Sequence, residues 1–232
     1  MTERITIDTL DGSGSFPAHV ARPDGQPRAA IVVIQEIFGV NQGIRRKCQA
    51  LAEAGYLAIA PDLFWRFAPG VELNPDVDAE MQEALGLMGR FDQDQGVADI
   101  EATIRGARAM VDGGRVGAVG YCLGGRLAYM TASRTDVDAS VGYYAVGIDA
   151  LLGEKHAIAR PLMLHIPQAD HFVDADTQAK MHAGLDDHPR VTLHDYPGED
   201  HGFATEIGDR RSPQAAATAD ARTMAFFAEH LG

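Results

Sequence analysis

Cysteine is nearly absent. The chain has two, Cys48 and Cys122, in 232 residues, too few for a disulfide framework or a thiolate metal site. Cys48 shares a helical face with Ile44 and Leu51 and reads as core packing, so no disulfide is expected. Positive charge is also scarce: Lys plus Arg total 20 against 33 for Asp plus Glu, a net charge of −13. Coulomb repulsion at that charge argues against nucleic acid or an anionic membrane as partner. No stretch reaches the roughly 18 apolar residues that a membrane span needs. Met1-Thr2-Glu3-Arg4 leads into alternating residues and not into an apolar export segment, which predicts a cytoplasmic protein. Internal repeats, low-complexity tracts and linkers are missing too.

What is present is a hydrophobic content of 46%, enough at this length for one large α/β domain over residues 1–232. Ile5 to Leu10 and His19 to Arg22 flank the turn-rich Asp11-Gly12-Ser13-Gly14 and read as an antiparallel edge. Ala30 to Ile34 is a continuous apolar run, the signature of a strand buried on both faces. Helices are then predicted over 42–54, 78–91, 96–112 and 123–134, with strands over 57–60, 115–119, 139–144, 161–166 and 191–196. Ser212-Pro213 has the look of an N-cap followed by proline, opening a last helix. The alternation favours a mostly parallel sheet of about eight strands with helices on both faces, and ligands at the strand C-termini. The segment from Asp62 to Asp78 has no clear strand and reads as a surface excursion.

Gly120-Tyr121-Cys122-Leu123-Gly124-Gly125 sets a thiol between glycines where a strand gives way to a helix. A residue on so sharp a turn is backbone-strained, and its neighbours must lack Cβ atoms to clear the adjacent strand and helix. A helix N-terminus stabilises negative charge, so this is where a reactive thiolate and a developing oxyanion would both be held.

Such a thiol needs a base and a group to orient it. His201 follows the strand over 191–196 across Pro197-Gly198-Glu199-Asp200, and Asp170 lies just past the strand ending at Ile166. The order Cys122, Asp170, His201 is the chain order of an α/β-hydrolase triad. Asp174 and Asp176 are rivals for the acid role, although both open the next helix, where carboxylates serve as caps. Glu36, at the end of the strand over 30–34, is a carboxylate at the same sheet edge and reads either as functional or as a cap or ion-pair partner. In this fold class the loop after that strand supplies one oxyanion N–H, which points to Ile37 and Leu123 as donors.

Taken with Gln35-Glu36-Ile37-Phe38-Gly39-Val40-Asn41, Gln168-Ala169-Asp170-His171-Phe172-Val173 and His201-Gly202-Phe203-Ala204, the elbow resembles the dienelactone hydrolase (carboxymethylenebutenolidase) family over nearly the whole chain. The resemblance implies an α/β-hydrolase fold and a carboxylic ester hydrolase that works without cofactor or metal. Its triad would be Cys122, His201 and Asp170, acting on a small ester or enol lactone through an acyl-thioester. It also implies that Glu36 pairs with the resting thiol and takes its proton when substrate enters, and that Phe38, Met81, Leu85, Tyr143 and Thr205 surround the substrate. A monomer is expected. Where family members hold the dienelactone carboxylate with two arginines, this chain has Met81 and Thr205, and a tyrosine and a tryptophan often found nearby read Leu85 and Met88. Neither methionine nor threonine replaces a bidentate guanidinium, so a less polar ester, lactone or thioester is expected. Arg90, Arg126, Arg210 and Arg211 remain open as sources of charge.

Gly120 and Gly125 have the spacing of a phosphate loop, but Arg126-Leu127 stands where Lys and Ser or Thr are required. His-Glu-x-x-His is missing, which leaves zinc hydrolysis unsupported. A thioesterase or other acyl hydrolase with the same triad, or a redox-responsive domain sensing through Cys122, are the alternatives.

Overall fold

The computed structural model describes residues 1–232. Its centre is the strand β3 (Ala30–Ile34), fully buried along its length. Side chains alternate across a strand: Val32 and Ile34 join the core on one face of the sheet, Ile31 and Val33 the core on the other. Around it lie β1 (Thr2–Asp8), β2 (Ser15–Ala21), β4 (Leu57–Pro61), β5 (Val116–Tyr121), β6 (Ala139–Tyr143), β7 (Leu162–Pro167) and β8 (Val191–Tyr196), in the order β1-β2-β4-β3-β5-β6-β7-β8. The β1–β2 hairpin is antiparallel, and β2 runs antiparallel to β4; all remaining pairs are parallel. This is the predicted α/β-hydrolase architecture, with the edge hairpin longer than the sequence pattern indicated.

Helices α1 (Gln42–Glu53) and α6 (Pro213–Leu231) cover one face. The other is covered by α2 (Asp78–Arg90), α3 (Gln93–Met110), α4 (Leu123–Arg134) and α5 (Ala175–Leu185). Caps set several of the boundaries: Asn41 accepts from the Ile44 N–H, Asp92 from Asp94 and Gln95, and Asp174 from Thr177. Ser212 departs from expectation. It stands at the N-cap of α6 without capping, because its hydroxyl donates to Glu199 at 2.9 Å, and Pro213 alone marks the start. A 3-10 helix over Asp149–Ala157 was not predicted; only Leu151 within it is buried, so no apolar period announced it. Cys48 is buried in the α1 core, and burial pushes its thiol up to about 12, which makes it inert. No helix is long and apolar enough to cross a membrane.

The register aligns Ile34 with Gly120 and Tyr121 with Tyr143. The C-terminal ends of β3, β5, β6, β7 and β8 therefore face one edge, and the chain order reverses between β3 and β5, the place where open parallel sheets bind ligands.

Candidate active site

Cys122 sits at that reversal with φ 57° and ψ −114°, a backbone state that costs an L residue energy and persists only under packing that enforces it. The enforcement is visible in three glycines. A Cβ on Gly120 would lie 1.9 Å from the Gly124 carbonyl oxygen, one on Gly124 would lie 2.4 Å from the Ile34 oxygen, and one on Gly125 would lie 2.5 Å from the Tyr143 oxygen. Strands β3, β5 and β6 thus close against the first turn of α4. Cys122 is its N-cap residue and is partly exposed. Leu123 opens the helix, so its N–H has no acceptor within α4, and Ile37 lies in the turn beyond β3.

The other two members arrive on loops after β7 and β8. His201 Nδ1 and Asp170 Oδ2 are 2.9 Å apart, with 4% and 1% of their side-chain surfaces exposed. Asp170 also accepts the Phe172 N–H at 2.8 Å. The two loops are stitched together by Asp200, whose Oδ1 accepts the His201 N–H at 2.6 Å and the His171 N–H at 3.0 Å. His201 Nε2 is buried without a hydrogen-bond partner and lies beside the Cys122 thiol. Burial alone would discharge this imidazole, but the Cys122 sulfur and the Asp170 carboxylate outweigh it and raise His201 to about 10. Asp174 is engaged elsewhere as the cap of α5.

Glu36 is buried at the end of β3. Burial is the largest influence on its carboxyl and raises it above the usual range, opposed by the charge on His201 and by the neighbouring Tyr144 hydroxyl. A cavity of about 260 Å³ opens over these groups, with Glu36, Cys122 and His201 in its lining. Ile37 and Phe38 form one wall, Met81, Leu85 and Met88 of α2 another. Phe172 crosses the His201 ring edge to face at 4.8 Å. Thr205 lines the cavity, but its hydroxyl donates to the Ile207 carbonyl and is spent within the loop.

Tyr143 requires correction. The alternation along β6 turns it to the α6 face of the sheet, where its hydroxyl meets Thr223 at 2.6 Å and Asp220 at 3.0 Å, away from the cavity. Its neighbour Tyr144 leaves the strand at φ 37° and crosses His201 edge to face at 5.0 Å. The four arginines left open by the sequence also separate. Arg210 lines the cavity. Arg90 lies over Phe67, Arg126 binds the carbonyls of Val146 and Gly147, and Arg211 binds those of Ala204 and Thr205.

Residues 16–231 match the model of the dienelactone hydrolase family. The chain belongs to that family. A relative from Azospirillum brasilense named "Putative carboxymethylenebutenolidase" is 47% identical over 231 residues, 98% of this chain and 99% of the relative. The carboxymethylenebutenolidase of Pseudomonas putida is 39% identical over 229 residues, 98% of this chain and 97% of its own length. The crystal structure of a "Putative Dienelactone Hydrolase" from Klebsiella pneumoniae superposes with a TM-score of 0.83 at 27% identity, covering 99% of both chains. As a dienelactone hydrolase family member the chain is a carboxylic ester hydrolase.

Proposed function

We propose that this dienelactone hydrolase-like enzyme cleaves a small ester or lactone with Cys122 as nucleophile. The observation that carries the reading is the buried Asp170–His201 pair at 2.9 Å, whose free Nε2 faces a thiol at a helix N-terminus. Sulfur attacks the carbonyl carbon, and the Ile37 and Leu123 N–H groups receive the oxyanion. The C–O bond breaks as His201 passes its proton to the leaving oxygen, which leaves an acyl-thioester and a neutral imidazole. His201 then takes a proton from water, the hydroxide attacks the thioester, the C–S bond breaks, and the thiolate–imidazolium pair returns with the acid released. A carboxylate raised by burial is a better base, which suits Glu36 to accept the thiol proton on substrate entry.

Substrate preference departs from dienelactone because Met81 and the internally bonded Thr205 offer no bidentate cation, leaving a cavity with mostly apolar walls. The test is turnover of a chromogenic acetyl ester. Cys122→Ala is expected to lose about 10³-fold or more in kcat/KM, and wild-type enzyme quenched during turnover should carry the acyl group on Cys122 by mass spectrometry. Equal rates in the variant would remove the thiol from the reaction.

A further inference from the structure

We propose that Tyr144 is a positioning residue for Glu36: its hydroxyl, set beside the Glu36 carboxyl by a strained turn, donates to that carboxylate and keeps it ready for the Cys122 proton. This rests on the reading above, in which Glu36 accepts that proton.

Three residues other than glycine have positive φ: Asp112, Cys122 and Tyr144. Asp112 is exposed in the turn after α3; the other two belong to the site. Strain of this kind persists where surrounding contacts enforce it, and it gathers at functional positions. The Tyr144 N–H donates to the His165 carbonyl at 2.9 Å, and the Tyr143 carbonyl accepts the Cys122 N–H at 3.1 Å. The end of β6 is thereby tied to β7 on one side and to the elbow on the other. Successive side chains of an extended strand point to opposite faces, yet Tyr143 and Tyr144 join the same apolar cluster on the α6 side of the sheet. The φ of 37° at Tyr144 is where the extended backbone ends.

Tyr144 is 1% exposed. Its ring meets His201 at 5.0 Å and Phe203 at 5.7 Å, both edge to face, and Tyr121 at 6.2 Å. Phenylalanine would make the same ring contacts, so packing does not account for the oxygen. That oxygen is buried without a hydrogen-bond partner and lies beside the Glu36 carboxyl. An unpaired buried hydroxyl is costly. The titratable groups around it are Glu36, Tyr121, Cys122 and Tyr143, and Glu36 is the one carboxylate among them. Burial, with the Glu36 charge adding to it, holds the Tyr144 phenol well above its ordinary range, so it is a donor at every working pH. Glu36 in turn faces His201, Tyr144, Lys47 and Arg210, all of which favour its ionised form against burial. Three of the four act through charge. Tyr144 acts through a directed hydrogen bond, and a carboxyl must be ionised to take a proton.

The experiment compares wild type with Tyr144→Phe, which removes one oxygen and keeps the ring. The titration midpoint of Glu36 is read by NMR from the carboxyl carbon in protein carrying isotope-labelled glutamate, its signal assigned by its loss in Glu36→Gln. In Tyr144→Phe the midpoint should rise by about one pH unit. The acidic limb of the kcat/KM profile for a chromogenic acetyl ester should move up with it, giving about a tenfold loss below the limb and little above. Melting temperature should stay near wild type. Fluorotyrosine incorporated at position 144, a more acidic donor on the same ring, should lower the midpoint instead. In a Glu36→Gln background Tyr144→Phe should not shift the profile. An unmoved midpoint, a limb that stays while the midpoint moves, or an equal loss at every pH in both backgrounds, as a role confined to ring packing would give, would each overturn the assignment. Those failures leave the nucleophile untouched if Cys122→Ala is inactive, whereas a fully active Cys122→Ala would bring down both readings.

Discussion

Asp170 and Asp174 are four residues apart and have different roles. The first is buried with its carboxylate 2.9 Å from His201 Nδ1; the second is exposed and caps α5. Asp170→Asn should lower kcat for ester turnover by about 10³–10⁴-fold by presenting an amide to Nδ1. Asp174→Asn, which keeps a capping oxygen, should leave both kcat and melting temperature near wild type. Steady-state kinetics on the pair decides the matter, and a reversed outcome would move the acid role to Asp174. Glu36 gives a pH prediction. Its carboxyl is raised in the folded state by burial, so the native protein retains a proton that the unfolded chain releases near pH 4 to 5. Stability from this site is full below that range and declines as pH rises through the folded value. Glu36→Gln should therefore melt higher than wild type at pH 8, with the advantage vanishing toward pH 4. Thermal melts across pH would show it, and a gap constant with pH would refute it. At this scale Cys122, His201 and Asp170 were legible because glycine spacing and strand ends are local signals. Tyr144 was not. A single residue of strand end decides which tyrosine turns into the site, and sequence patterns locate element ends no better than that.

The elements around the thiol differ in how much substitution they tolerate. At Gly120 an added methyl collides with backbone, the Gly124 carbonyl at 1.9 Å, and nothing there moves cheaply. Gly120→Ala should destabilise by about 3 kcal/mol or more and abolish activity. Gly86, on the exposed side of α2, meets nothing within 4 Å, so Gly86→Ala should stabilise by about 0.5–1 kcal/mol through helix propensity alone. Denaturant unfolding of the two variants checks both signs. Helices with a buried stripe and a capping residue, such as α1 and α3, were readable from sequence. The 3-10 helix over Asp149–Ala157 was hidden because one buried leucine makes no period.

At the level of the whole molecule, the parallel sheet was legible because strands buried on both faces appear as unbroken apolar runs, and β3 is the clearest. The cavity walls were less so. Arg210 reaches the cavity from a loop whose course is set by distant tethers. Lys47 of α1 holds Glu206 at 2.9 Å and Asp220 of α6 at 3.1 Å, Arg46 donates to the Glu206 carbonyl, and Asp76 accepts the Asp209 N–H. No spacing along the chain encodes contacts between segments more than a hundred residues apart. The cavity thus has two kinds of boundary. Thiol, imidazole and carboxylate are anchored at the ends of parallel strands, whereas much of the remaining cavity wall hangs on a helix with two fully buried residues and a strapped loop. A lineage could exchange that upholstery, residue by residue or as a whole helix, and acquire new substrates while the frame beneath kept its reaction.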